Sequence, residues 1–333
     1  MADHALTPPI LIISLSRSGG KLVRALLDGH PQIRALPFEH WQSHLKFKLR
    51  AATFKHFSTL DAGAKVDACG GAHARRKIRA LHGAEIAAAT MSDWLRAAET
   101  AVTPADIFTG LADAYFPQVG NTGPGKATVN HSGSLCLLTR DQIEMLFGPA
   151  RHVLTIRDPR AVWTSEHARR SERYTADRAQ RGTVTQTELT THLARSARDD
   201  EGGSPYLREF CEEYRYMLNV HATRPDIVAL RFEDLVQSPE AHMRAIAGRL
   251  DLAWDSRLLE PTQLGKPRRA NSSFERRNGV DASAADDWVS RISAPDRAFI
   301  ERMLGDCIRF SDRSWESDVL KGVDAQRSRP AGN

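Results

Sequence analysis

The chain has 333 residues, of which 41% are hydrophobic and 26% charged, and a formal net charge of +5; this is ordinary globular composition with a substantial core and a positive excess that suits an anionic ligand. The basic residues are dispersed and form no long tract, so the charge does not point to nucleic acid, and Cys69, Cys136, Cys211 and Cys307 lie far apart with no CxxC pair, which signals neither a zinc site nor a disulfide framework. The N-terminus lacks the basic start of a signal peptide and no stretch approaches membrane-spanning length, so a cytoplasmic protein without a membrane span is expected.

In chain order, Pro8 and Pro9 precede a short, β-branched apolar run at 10–13, which predicts a buried parallel strand. A small polar loop covers 14–20. Leu22, Val23, Leu26 and Leu27 then mark the apolar face of a helix, stopped by Gly29 and Pro31. Residues 33–36 read as a second short strand. From 41 to 116 the chain reads as helical and alanine-rich, with a basic cluster at Arg75, Arg76 and Lys77. The turn-rich stretch 121–125 leads to a strand at 127–130. Residues 135–147 read as a helix and 152–156 as a strand. Asp158 and Pro159 open the next helix, Asp as N-cap and Pro as first helical residue. The polar stretch 171–204 reads as an irregular or helical excursion. Residues 206–222 are helical, 227–232 form the last clear strand, and 239–250 are helical again. A basic loop rich in Gly, Asn and Ser spans 265–279, a helix 283–304, and the tail beyond 319 is expected to be disordered. Strands alternating with helices predict an α/β fold: P-loop-like, three-layered, with a central parallel sheet flanked by helices. No internal repeat and no interdomain linker is visible.

The loop after the first strand reads Ser14, Leu15, Ser16, Arg17, Ser18, Gly19, Gly20, Lys21. Small residues let backbone N–H groups approach an anion, and the following helix adds its positive end. Arg17 and Lys21 add charge, so a phosphate or sulfate would be well held. A nucleoside triphosphate P-loop needs GxxxxGK followed by Ser or Thr. Here Leu15 stands at the first glycine position and Leu22 follows Lys21, so the hydroxyl that would hold magnesium is missing. A tight turn with two solvated cations is the plain alternative.

The segment 152–165 carries a second signal. Arg157 ends a strand at the carboxyl edge of the sheet, where open α/β folds bind ligands. Ser165 lies eight residues on, roughly 9 Å beyond the start of the helix. It is too deep to cap that helix, yet it can reach a phosphate along the flank, with Arg157 on the other side. In the plain alternative Arg157 pairs with a local carboxylate and Ser165 is merely exposed.

Together the two segments resemble the sulfotransferase superfamily. Arg17, Ser18, Gly19 and Leu22, continuing through Leu26, Leu27, Asp28, Gly29, His30 and Pro31, resemble its 5'-phosphosulfate loop and helix. The form is nearer to the protein-tyrosine and bacterial branches than to the cytosolic branch. Arg157 and Ser165 resemble the 3'-phosphate site. Leu230, Arg231, Phe232, Glu233, Asp234 and Leu235, with Pro239 and Glu240, are similar to the family's strand-then-EDL segment, and Asn271, Ser272, Ser273 and Phe274, then Trp288, to its C-terminal loop and helix. The resemblance implies one domain over 8–310, with helical insertions near 41–116 and 166–222 that would line an acceptor pocket. One departure stands out: the family commonly has Thr-Thr where this chain has Gly20 and Lys21.

The resemblance implies transfer of a sulfuryl group from 3'-phosphoadenosine 5'-phosphosulfate (PAPS) to a hydroxyl or amine of an acceptor, leaving 3',5'-bisphosphoadenosine (PAP). Arg17, Ser18, Gly19, Gly20, Lys21, Leu22, Arg157 and Ser165 would bind the donor, with no metal. Arg17, Lys21 and the loop amides would stabilise charge on the departing phosphate. Glu39, after the second strand, and His131, at the end of the third, are the candidate general bases. Glu39 could instead pair with a nearby cation, and His131 could be a turn residue bonded to the backbone. Other readings are a small-molecule or nucleotide kinase, favoured by Gly20 and Lys21, a non-catalytic binder of PAP or PAPS, and a nucleic-acid binder using the basic loop. His40 and His44 share a helical face but lack a third metal ligand. Tyr206, Tyr214, Tyr216 and Trp163 could stack on adenine.

Overall fold

The structure, a computed structural model, describes residues 8–39, 56–121, 126–133, 135–181, 196–200, 202–222, 224, 226–268 and 279–308. His40, His44, the 271–274 segment and the tail beyond 319 lie outside these residues. Five parallel strands form the central sheet: β1 (Ile10–Ser14), β2 (Ile33–Ala35), β3 (Ala127–Ser132), β4 (Arg151–Ile156) and β5 (Ile227–Arg231), in the order β2-β3-β1-β4-β5. Ile12 of β1 stands between His131 of β3 and Val153 of β4. The chain leaves β1 toward one side of the sheet and later returns to build the other side. The carboxyl end of β1 is therefore the crevice where such sheets take ligands.

Both faces of the sheet are buried, which is why its strands read as continuous apolar runs. Ile10 and Ile12 join Val129, Val153, Val228 and Leu230 in one core, under α1 (Gly20–Asp28). Leu11 and Ile13 join Leu154 and Ile156 in the other. That second core is covered by α2 (Ala62–Ala68), α3 (Gly71–His82), α4 (Ala84–Thr100), α5 (Pro104–Gln118), α6 (Arg140–Phe147), α7 (Pro159–Arg181) and α8 (Pro205–Met217). The result is the three-layered α/β arrangement expected from the sequence.

Local boundaries differ where a side chain caps the backbone. Residues 135–147 are not one helix: a 3₁₀ turn, Leu135–Leu137, precedes α6. Thr139 and Gln142 form a capping box that starts α6 afresh. The last strand ends at Arg231, and Phe232 begins α9 (Phe232–Gln237), which α10 (Pro239–Arg249) follows. The stretch 283–304 is likewise divided. A 3₁₀ turn, Ala282–Ala285, is separated from α11 (Ala294–Ile308), whose start is fixed by Ser293 Oγ accepting the Asp296 N–H at 3.2 Å. Residues 206–222 end in a π-helical turn, Leu218–Ala222.

Two buried histidines make the fold acid-sensitive. Burial, then the Arg224 charge, holds both His152 and His221 down to about 4 from an ordinary 6.5. Below pH 6.5 the unfolded chain takes up protons that the folded chain refuses. Stability is therefore full above that pH and falls as pH drops toward 4. Urea unfolding should show a loss of about 2 kcal/mol per histidine between pH 7 and pH 5. His152→Gln should remove about half of that loss, His221 supplying the rest, and a profile untouched by that change would contradict this account.

Candidate active site

The loop between β1 and α1 is shaped by two close approaches. Ser18 N–H donates to the Leu15 carbonyl at 3.2 Å, and Gly19 accepts the Leu22 and Val23 N–H groups that start α1. Gly19 has φ +94°, and a Cβ there would lie 2.5 Å from the Phe232 ring. At Gly20 a Cβ would lie 2.4 Å from His131 Nε2 and 2.6 Å from Ser14 Oγ. The loop is thus clasped between the ends of β3 and β5. The first amides of α1 have no intrahelical partners by helix geometry and carry the positive end of its dipole. Ser18 is 0% exposed and its hydroxyl has no hydrogen-bond partner among the described residues. Leu22 packs beside Phe232, Val236 and Ala285.

The second predicted motif meets the first directly. Arg17 Nε donates to Ser165 Oγ at 2.9 Å. Arg157 donates to the Arg17 carbonyl at 3.2 Å and to the Ala284 carbonyl at 2.7 Å. Its guanidinium lies 4.3 Å from the Phe232 ring centroid, a cation–π contact. Tyr214, weighed from sequence as an adenine platform, is a buried core residue whose hydroxyl donates to the Arg157 carbonyl at 2.8 Å. Burial pulls Arg157 below the usual arginine range, with Glu233 opposing and Arg17 reinforcing the shift. Its Nε is buried without a hydrogen-bond partner.

Glu39, Lys21 and His131 form a third group at the same edge. Lys21 Nζ lies 3.3 Å from Glu39 Oε1, and His131 Nδ1 lies 4.0 Å from the same oxygen. His131 Nε2 and Ser14 Oγ are 2.9 Å apart. Burial, then the charges of Arg24, Lys21 and Arg268, push His131 well below its ordinary value, so its ring is neutral. Burial also lowers Lys21, against the pull of Glu39.

Sequence reasoning missed Arg24 and Phe232 as parts of this site. Arg24 is only 3% exposed, and its Nη1 donates to the Leu36 carbonyl at 3.3 Å. Burial, aided by Arg268, brings it to about 10. The available signal was a lone charge inside the apolar run 22–27. Among the described residues no cluster of three metal-ligating side chains occurs, and no helix is long and apolar enough to cross a membrane.

Residues 8–256 match the profile described as the Sulfotransferase family. No curated protein sequence matches the chain. Among solved structures, the sulfotransferase domain from the Synechococcus PCC 7002 olefin synthase is similar at 22% identity and TM-score 0.52, covering 91% of this chain and 96% of that one. The sulfotransferase domain from the curacin biosynthetic pathway is similar at 18% identity and TM-score 0.53, covering 91% of this chain and 98% of that one. At these identities the two structures speak for the fold.

The close approach at Gly20 makes a direct prediction. Gly20→Ala should cost about 1–3 kcal/mol by overpacking against His131. Adding His131→Ala should recover part of that loss, so the two changes should depart from additivity by more than about 0.5 kcal/mol in urea unfolding. Strict additivity would mean that the two residues do not press on each other.

Proposed function

Because the chain belongs to the sulfotransferase family, we propose that it transfers a sulfuryl group from PAPS to a hydroxyl or amine of an acceptor, by in-line displacement that needs no metal. The observation that carries the donor assignment is the Arg17 to Ser165 hydrogen bond of 2.9 Å. It brings together two candidate anion-binding motifs, 148 residues apart in sequence, which supports a single doubly phosphorylated adenylate as their shared ligand. Ser18 Oγ and Arg157 Nε support the fit, being buried polar atoms without hydrogen-bond partners. Such atoms are costly unless a ligand completes them. Leu22 offers no hydroxyl for magnesium and is packed beside Phe232 and Val236, which weighs against the kinase reading.

In the transfer, the acceptor oxygen or nitrogen bonds to sulfur, and the bond from sulfur to the bridging oxygen breaks. The electron pair stays on the 5'-phosphate of departing PAP. Arg17, Lys21 and the amides of the loop meet that growing charge. The acceptor's proton goes to a base, and Glu39 is the better placed of the two candidates. Its side chain is 23% exposed against 5% for His131, so it can reach a bound acceptor. Lys21 Nζ lies 3.3 Å from that carboxylate. His131 Nδ1, buried with no hydrogen-bond partner, keeps a second reading in play, in which the histidine receives the proton. A cytoplasmic setting agrees with the buried thiols of Cys136 and Cys211.

Calorimetry should show PAP binding without magnesium, and tighter binding than ATP with magnesium. Arg157→Ala and Ser165→Ala should each weaken PAP binding about 10- to 100-fold, the worth of a charge-assisted hydrogen bond. Preference for ATP with magnesium would return the chain to the kinase reading.

Glu39→Gln should abolish turnover while leaving PAP affinity unchanged. Full activity in Glu39→Gln, with none in His131→Ala, would transfer the base role to the histidine. Donor binding without transfer to any acceptor in a broad screen would mark a non-catalytic relative.

A further inference from the structure

Beside the donor loop a cleft opens between α7 and α8. Its walls include Leu15 and Ser16 of the donor loop, Trp163 and Glu166 of α7, and Phe210 and Glu213 of α8. Ser16 directly precedes Arg17, and Glu166 directly follows Ser165. Ser16 Oγ donates to Glu166 Oε2 at 3.1 Å, so the cleft shares a wall with the donor grip.

Three observations define what this cleft can hold. Trp163 and Phe210 line it with ring centroids 5.5 Å apart, an aromatic surface. Trp163 is only 4% exposed, and its indole N–H has no hydrogen-bond partner among the described residues. Glu213 has no hydrogen bond or ion pair with any described residue, whereas the nearby cations are committed. Arg170 donates to Glu166 Oε1 at 3.0 Å and lies 4.9 Å over the Tyr206 ring. Arg169 also pairs with Glu166. Burial, then the negative charges of Glu209 and Glu166, raise the Glu213 carboxyl above its ordinary range despite Arg170. A carboxylate in that setting gains from an arriving cation and is opposed by an arriving anion.

We infer that this cleft selects an acceptor carrying a protonated amine beside an aromatic ring, with the amine at Glu213 and the ring against Trp163 and Phe210. The inference rests on the sulfotransferase reading and names the acceptor class for that same site. Aromatic faces attract cations as well as rings, so both halves of such a ligand are matched. An acceptor bearing a carboxylate would set like charges beside Glu213 and Glu209, and repulsion of that kind is an effective source of specificity.

The test uses two probes of the same ring and similar chain length but opposite charge, tyramine and 3-(4-hydroxyphenyl)propionate. Each is titrated by calorimetry into the full chain saturated with PAP. Tyramine should bind at least 10-fold more tightly than the propionate. Glu213→Gln should weaken tyramine at least 10-fold, and Glu213→Lys should reverse the preference. PAP binding by each variant reports that it is folded. Equal affinity for the two probes, preference for the propionate, no binding of tyramine, or unchanged tyramine affinity in Glu213→Gln would overturn the inference. If tyramine binds as expected while PAP does not, the donor assignment falls and the cleft's charge preference stands.

Discussion

The catalytic end of the molecule depends on how near the β1–α1 loop can come to its neighbours. At Gly19 and Gly20 the space for a Cβ is already taken, by the Phe232 ring on one side and by His131 and Ser14 on the other. Because β1 lies between β3 and β4, a loop held this closely delivers Arg17 to Ser165 and its own carbonyl to Arg157. Larger side chains would push the loop outward and separate the anion-binding groups. Preorganisation of this kind lets fixed dipoles act on developing charge without reorganising at the moment of reaction.

That geometry concentrates positive charge. Arg24 and Arg17 both depress Lys21, Arg268 depresses Arg24, and Arg17 depresses Arg157. Glu39 is the one carboxylate within ion-pair distance of Lys21 among the described residues, and it raises both Lys21 and Arg24. Partly buried like charges are unfavourable for folding. A ligand with several negative charges relieves that repulsion and is stabilised by it, so the free energy stored in the site reappears as affinity. Burial, reinforced by the same field, keeps His131 neutral. The neutral ring packs against Gly20 and stands 2.9 Å from Ser14 Oγ.

What the sequence disclosed, and what it hid, follows from the range of the forces involved. Strands β1, β4 and β5 were legible because both sheet faces are buried, so local composition carries the signal. The Arg157 and Ser165 spacing was legible because strand and helix geometry fixes where two nearby residues point. The break before Arg140 was missed although Thr139 and Gln142 form a capping box, because the apolar residues on either side suggested one continuous helix. The roles of Arg24, Phe232 and Tyr214 were hidden for a different reason. Each depends on a partner distant in sequence, such as Leu36, Gly19 or the Arg157 carbonyl, and no local pattern encodes such contacts.

The Gly20 and Lys21 departure from the family's usual Thr-Thr takes on a physical meaning in this setting. A threonine at 20 would drive its Cβ into the His131 ring, which stands 2.4 Å from where that atom would be. Glycine at 20 therefore makes room for the histidine at 131. Lys21, next in the chain, replaces a neutral hydroxyl donor with a full charge, set against Glu39 at 3.3 Å. A lysine is a mobile point charge on a flexible stem. It pairs with the carboxylate in this structure, and in the proposed transfer it would turn toward the departing phosphate as charge grows there. The exchange thus couples the group that would accept the acceptor's proton to the group that would stabilise the leaving phosphate, a link that two threonines could not make.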